Sequence, residues 1–341
     1  MNVLGLDIGT ESVKLVQLGE GKAGKYELLA LGSALLGTNI MASEAEADLD
    51  NLAQIIKKLC LDCRVNTKNV NTALPQDKVY TSVITLPKLS EDELSSALRW
   101  EAEQYVPFPI DEVTLAHQIL GATVDQGKEK LSVLLVAAPN RLVDKTVKVI
   151  QKAGLNPVSL ETEMISLARS LVPETIKSAL VVDMGASATD IAIVRSGQVV
   201  LTRSIPTGGT ALTRAVSYEL GLEENQAEAY KKAYGLDKTK LEGKVVAALS
   251  PVLEVVLKEM EKTLEFFMSD KEGGQIGQIV LSGGSALLVE VTNRITEKMN
   301  VEVIVGNPFR DVTMKDATKT IPAESYPFYA VACGLAMKET S

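Results

Sequence analysis

Leu6-Asp7-Ile8-Gly9-Thr10-Glu11-Ser12-Val13-Lys14 and Val182-Asp183-Met184-Gly185-Ala186-Ser187-Ala188-Thr189-Asp190 follow one plan. Each reads as an apolar strand reaching an Asp, a Gly two residues later, a small hydroxyl-bearing turn and a second strand. A corner Gly lets backbone N–H groups approach a phosphate, because no Cβ intervenes. Thr10, Ser12, Ser187 and Thr189 add hydroxyl donors, and Glu11, Gly185 and Ala186 complete the turns. Lys14 offers a positive charge. Asp7 and Asp183 suit a Mg²⁺, which keeps several waters and takes few carboxylates. One Asp-x-Gly turn is common and says little. Two of them, a lobe's length apart, predict facing corners that close around the phosphates of a nucleotide.

A third stretch, Ile279-Val280-Leu281-Ser282-Gly283-Gly284-Ser285-Ala286-Leu287, reads as a buried strand, a double glycine and a helix start. Such a helix N-terminus is a ready anion site. Gly19, Gly24 and Lys25 imitate part of a phosphate-binding loop. The next residue, however, is Tyr26 instead of Ser or Thr, and a strand follows instead of a helix, so an ordinary hairpin turn is expected there.

The rest of the chain fits two lobes around these loops. Strands are expected at Val3–Asp7, Ser12–Leu18 and Tyr26–Ala34, then a helix from Ala45 to Cys60 and a strand at Val70–Ala73. Leu49, Leu52, Ile56 and Leu59 recur at helical spacing. From Val79 to Gly154 the pattern becomes a small α+β unit. It comprises strand Val79–Leu86, a helix opened by a Ser90/Glu93 capping box and stopped at Pro107, strands Thr114–Leu120 and Leu131–Ala138 around a polar turn (Asp125 to Lys130), and a helix from Arg141 to Lys152. A second strand set (Ala179–Met184, Thr189–Val194, Gln198–Pro206) repeats the opening. Helices at Thr210–Leu220, Glu223–Ala233 and Gly243–Met268 follow, with Pro251 expected to kink or restart the last.

With 35 basic against 44 acidic residues and a net charge of −9, the chain lacks the excess needed to neutralise many phosphates, which argues against nucleic acid. Cys60, Cys63 and Cys333 lack the partners of a zinc site and read as core residues of a reducing compartment. His117 is the lone histidine and has no nucleophile motif beside it. Met1 opens directly into Val3–Leu6, followed by Asp7 and Gly9 and not by a long apolar core, so no signal peptide is expected. The longest apolar run, Val133–Pro139, falls far short of a membrane span. The expectation is a soluble cytoplasmic protein.

The three loops, in this order, resemble the phosphate-1, phosphate-2 and adenosine motifs of the actin-like ATPase superfamily. Arg99-Trp100-Glu101 running into Tyr105-Val106-Pro107-Phe108-Pro109, together with the inserted unit, is similar to the PilM family of type IV pilus assembly proteins, relatives of the division protein FtsA. The resemblance implies an α/β, ribonuclease H-like bilobal fold with an inserted small α+β subdomain. The divisions are 1–78 with 155–175 and 326–341 (first lobe), 79–154 (insertion), 176–208 with 270–325 (second lobe) and 209–269 (helical subdomain).

It also implies ATP and Mg²⁺ as ligands. Gly208-Gly209-Thr210 looks like an extra phosphate contact, Ala227-Glu228-Ala229-Tyr230-Lys231 like the helix whose Glu228 and Lys231 face the adenosine, and Gly283, Gly284 and Ser285 like the adenosine loop. Glu163, and second to it Glu161, would supply the acid that orients a water in slow hydrolysis. The implied partner is the N-terminal tail of a PilN-type membrane protein, in a groove between the first lobe and the 79–154 subdomain. This partner would hold the chain at the inner membrane, and self-association as dimer or filament is a further option. An FtsA-like division or secretion scaffold and a small-molecule kinase are the alternatives. The first would need a membrane helix beyond Lys338-Glu339-Thr340-Ser341, and the second a further general base beside the acceptor hydroxyl.

Overall fold

The computed structural model describes residues 3–22, 25–37, 40, 43–88, 91–125, 128–269, 273–314 and 321–339. Gly24 of the rejected phosphate-loop match, Ser90 of the expected capping box and the terminal Thr340-Ser341 lie outside them. The chain opens with strands β1 (Val3–Ile8), β2 (Ser12–Glu20) and β3 (Tyr26–Leu35), helix α1 (Glu46–Asp62) and β4 (Asn69–Leu74). The insertion holds β5 (Tyr80–Pro87), α2 (Glu91–Tyr105), β6 (Val113–Asp125), β7 (Lys128–Pro139) and α3 (Asn140–Lys152). Then come β8 (Asn156–Thr162), α4 (Glu163–Leu171), β9 (Ser178–Met184), β10 (Thr189–Arg195) and β11 (Gln198–Ile205). Helices α5 (Gly209–Leu220), α6 (Glu224–Tyr234) and α7 (Lys244–Ser269) precede β12 (Gln278–Ser282), α8 (Val291–Met299), β13 (Val303–Val305), β14 (Val312–Thr313) and α9 (Ala330–Ala336).

Among the described residues the strands form three sheets, ordered β14-β3-β2-β1-β4-β8, β11-β10-β9-β12-β13 and β5-β7-β6. Apart from β14, the first two have one topology. An antiparallel meander supplies three strands, and two parallel strands continue on the far side of the first. β1 and β9 are therefore central and almost continuously apolar, as strands covered on both faces must be. Their carboxyl ends carry Asp7 and Asp183, the end of an open α/β sheet where ligands bind.

Close packing joins the parts. α9 lies so near β1 that a Cβ on Gly5 would stand 2.0 Å from the Ala332 carbonyl oxygen. One apolar cluster runs from Leu134 of the inserted sheet through Met164, Leu167 and Leu171 of α4 to Val181, Val194 and Val199 of the second sheet and Val331 of α9. The inserted unit thus packs on both lobes. Cys60 and Cys63 are free and part-buried, and burial raises the Cys60 thiol to about 11. No group of three or more His, Cys, Asp or Glu side chains placed to hold a metal occurs among the described residues. No helix there is long and apolar enough to cross a membrane.

The structure departs from the sequence reading in four places. β8 is a strand that the sequence reading does not include, and it contains Pro157, which lacks a ladder donor. It is tolerated because β8 is an edge strand, with a register shift beside it at Val70/Asn71. α7 is one helix with Pro251 inside it, so the helix does not restart there; Leu249, Leu253, Val256, Leu257, Met260 and Leu264 are buried along it and packing outweighs the lost backbone bond. β6 and β7 extend to Asp125 and from Lys128, so the polar turn is shorter than expected. β14 falls within 270–325, the span expected for the second lobe, yet pairs with β3 of the first. Phe309, Val312 and Ile321 pack with Val16, Leu18 and Leu28, which draws this segment to the first lobe.

Candidate functional site

Each corner is built by an antiparallel hairpin whose first strand ends in the Asp. On the first, Asp7 stands directly opposite Lys14 in the β1–β2 register, and Lys14 Nζ donates to Asp7 Oδ2 at 2.9 Å. Both side chains are largely buried, and Lys14 Nζ also lies 4.6 Å from the centroid of Phe328. Burial alone works against the ammonium, but Asp7, Asp183 and Glu163 outweigh it and the Lys14 pKa is raised.

On the second hairpin the equivalent pair is Asp183 opposite Asp190. Burial pushes Asp183 up to about 6, with Ser282 and Lys14 pulling down and Asp7 pushing up. Burial lifts Asp190 to about 7, and Asp183 and Asp77 add to this against a hydrogen bond from Ser204. Asp190 Oδ1 is buried and has no hydrogen-bond partner in the protein.

The corners face each other. Thr210 Oγ1, at the start of α5 in the second lobe, donates to Glu11 Oε1 on the first corner at 3.3 Å. The loops beside the second corner pack backbone against backbone. The N–H groups of Gly209 and Thr210 donate to the carbonyls of Gly185 and Ala186, both at 2.9 Å. Gly283 has φ +80°, and a Cβ there would meet the Met184 carbonyl oxygen at 2.6 Å and Asp183 Oδ1 at 2.9 Å. A Cβ on Gly209 would lie 3.0 Å from Ser285 Oγ and 3.5 Å from Lys231 Nζ. The Gly208-Gly209-Thr210 turn, the second corner and the Gly283-Gly284-Ser285 loop therefore form one cradle.

The geometry sorts the hydroxyls. Thr189 Oγ1 is buried and donates to the Thr207 carbonyl at 2.7 Å, and Ser12 is buried, so both sit inside the hairpins. Thr10 is partly accessible, whereas Ser187 and Gly284 are exposed. Gly9 N–H closes its own turn onto the Ser12 carbonyl at 3.0 Å.

On α6, Lys231 is 5% exposed. Its Nζ donates to the Gly209 carbonyl at 3.1 Å and to Thr213 Oγ1 at 2.8 Å, and pairs with Glu228 Oε2 at 2.6 Å. Burial opposes the Glu228 charge, but hydrogen bonds from Lys231 and Thr213 hold its pKa at about 2. The pair thereby ties α6 to the first turn of α5.

Of the two acids expected at the hinge, only Glu163 joins the corners. It opens α4, accepts the Gln76 backbone N–H at 3.0 Å, and feels Asp7, Asp190 and Asp183. Burial and these neighbours raise its pKa well above the usual carboxylate range. Glu161 instead makes two bonds to Arg169, at 2.7 and 2.9 Å, and pairs with Lys338 at 3.1 Å, which corrects its place as a second acid. Sequence reasoning missed Asp190 and Gln76 as site residues. Asp190 could have been found as the counterpart of Lys14 in the repeated motif. Gln76 belongs to no motif.

These residues fit a nucleotide with hydrated Mg²⁺. The glycines of the cradle let its loops pack backbone against backbone, one buried lysine lies within electrostatic reach of both corners, and the Asp7 charge is felt at Asp183. Asp7 and Asp183 would hold the ion, which would screen the phosphate charge.

The model of type IV pilus assembly protein PilM matches residues 5–340. A solved PilM-PilN type IV pilus biogenesis complex gives TM-score 0.86 at 30% identity, covering 99% of this chain and 98% of that one. Cell division protein FtsA of Streptococcus pneumoniae is 23% identical over 340 residues, 88% of this chain and 74% of the relative. MreB 5 of Spiroplasma citri bound to AMPPNP shares the fold at TM-score 0.53 and 16% identity, over 98% of this chain and 94% of that one. The fold is the actin-like ATPase fold, and the chain belongs to the PilM family of type IV pilus assembly proteins.

Proposed function

We propose that this protein binds Mg-ATP between its lobes and holds the N-terminal tail of a PilN-type membrane protein, as a nucleotide-responsive scaffold on the cytoplasmic side of the pilus assembly platform. The observation that carries this reading is the position of Lys14. Its ammonium is bonded to Asp7 of one corner and feels Asp183 of the other, so the two corners share one charge field. A triphosphate between them contacts both lobes and favours the lobe angle that best accommodates it, a shift of population.

The tail is placed in the groove between the first lobe and the 79–154 subdomain. Trp100, Tyr105 and Phe108, exposed on and after α2, give that subdomain an open apolar surface of the kind that marks partner sites. Glu163 is the residue placed to orient a water. It accepts the Gln76 backbone N–H beside both corners, burial and the neighbouring Asp7, Asp190 and Asp183 raise its pKa, and slow turnover is the expectation.

The test is calorimetric titration with Mg-ATP and with a synthetic PilN-type tail peptide. Both should bind. Asp183→Asn should weaken Mg-ATP about tenfold, roughly 1.4 kcal/mol, and leave peptide affinity without nucleotide unchanged. If neither ligand binds the wild type, the functional reading falls and only the fold stands.

A further inference from the structure

Gln76 opens the turn Gln76–Lys78 that joins β4 of the first lobe to β5 of the inserted sheet. It is 4% exposed, and three bodies meet on it. Its backbone N–H donates to Glu163 Oε2 at 3.0 Å. Its side-chain Nε2 donates to Thr81 Oγ1 on β5 at 3.3 Å and to Thr202 Oγ1 on β11 of the second lobe at 3.4 Å. The amide oxygen Oε1 is buried and has no partner in the protein. A buried acceptor without a donor is costly, and an apolar side chain of the same length would fill the space without that cost. The amide is therefore explained by its two donated bonds and not by packing.

We propose that Gln76 is a positioning residue that couples the nucleotide cleft to the inserted subdomain, by clasping Thr81 and Thr202 with one amide while its backbone holds Glu163. The inference rests on nucleotide binding between the lobes as proposed above. Both amide bonds lie near the outer limit of hydrogen-bond length. A change of lobe angle that carries Thr202 about an ångström outward breaks one of them, or draws Thr81 and β5 along. Thr202 lies two residues from Ser204, the residue opposite Asp190 in the β10–β11 register. The second-lobe end of the clasp is thus mounted on β11, the strand that pairs with β10 of the second corner. The clasp has two discrete states, engaged and released, and the pose of the inserted sheet differs between them.

The test compares the affinity of the PilN-type tail peptide with and without saturating Mg-ATP. In the wild type the ratio should be about fivefold or more, the lower end of ordinary coupling. Thr202→Val removes only the second-lobe end. It should leave each ligand's own affinity unchanged and bring the ratio within about twofold of one. Gln76→Met keeps the backbone N–H and the side-chain length, and should collapse the ratio equally. A purely structural residue would lower both single affinities and leave the ratio alone.

A coupled wild type whose Thr202→Val variant keeps its ratio overturns this inference and leaves the proposed function intact. A wild-type ratio of one, with both ligands bound, overturns the coupling in both. If Gln76→Met does not fold, Thr202→Val decides the matter alone.

Discussion

The two corner hairpins share a backbone plan and differ in one cross-strand pair. In the first, Asp7 faces Lys14 and opposite charges meet at 2.9 Å. In the second, Asp183 faces Asp190 and like charges stand opposite. Directly opposed unlike charges stabilise an antiparallel pair and like charges destabilise it. Burial sharpens both effects. The first corner carries a counter-charge on its own hairpin, whereas the second has none there and is relieved by hydrogen bonds from Ser282 and Ser204 and, from a distance, by Lys14 of the first corner. Burial is the main cause that lifts Asp183 to about 6 and Asp190 to about 7, and the Asp183 charge adds to the rise at Asp190. One corner is a fixed reference, and the other is where binding energy can change the protein.

The strongest way to break this contrast is Lys14→Met. The methionine keeps the apolar stem but leaves Asp7 buried without its partner, near Asp183 and Glu163. Removing one member of a buried pair is far more damaging than replacing both, and a loss of about 3 kcal/mol is expected in urea unfolding at neutral pH. A loss below about 1 kcal/mol would mean that the first corner is held by something other than this pair.

Asp190→Asn should act in the opposite direction. The Asp190 carboxyl has a folded pKa of about 7, above its unfolded value of about 3.9. Between those limits the folded state binds more protons than the unfolded one, so this group's contribution to stability falls as pH rises. At pH 8 it is ionised in both states and its burial is a full penalty. The amide removes a charge penalty of roughly 4 kcal/mol. It keeps a buried polar atom without a partner, which costs about 2 kcal/mol. The variant should therefore be more stable than wild type at pH 8, by on the order of 2 kcal/mol. The gap should fall as pH approaches 4. Paired denaturation curves across that range measure it, and a gap that does not change with pH would show that Asp190 ionises normally and the contrast is wrong.

The two corners were legible because everything that makes them is local, an apolar strand, an Asp at its end, a Gly to turn and a second strand. The repeat supplied the pairing of the lobes. The register that sets Lys14 against Asp7 and Asp190 against Asp183 was present in the same nine residues, but its electrostatic meaning depends on burial, which a single sequence does not show.

Glu161 and Glu163 show the limit plainly. Two residues apart in one strand, they would share a face, but β8 ends at Thr162 and α4 begins at Glu163. That junction turns Glu163 toward the corners, while Glu161 remains beside Arg169. Gln76 was invisible because Thr81, Glu163 and Thr202 reach it from three separate segments. β8 carries no clear strand pattern, and its Pro157 is tolerated because the strand lies at a sheet edge.

The smallest expected effect tests whether the corners depend on their surface contact. Thr210 Oγ1 and Glu11 Oε1 meet across the lobes at 3.3 Å, and Glu11 is exposed. A long, solvated hydrogen bond contributes about 0.5 kcal/mol or less. Thr210→Val keeps the side-chain shape and the α5 N–H that holds Ala186, so only the hydroxyl contact is lost. Stability should change by less than about 0.5 kcal/mol, and Mg-ATP affinity by no more than about twofold. If the variant instead lost more than about 1 kcal/mol, more than such a bond supplies, the corners would be kept facing by this bridge. The difference between a settled first hairpin and a strained second would then no longer explain how the cleft is organised.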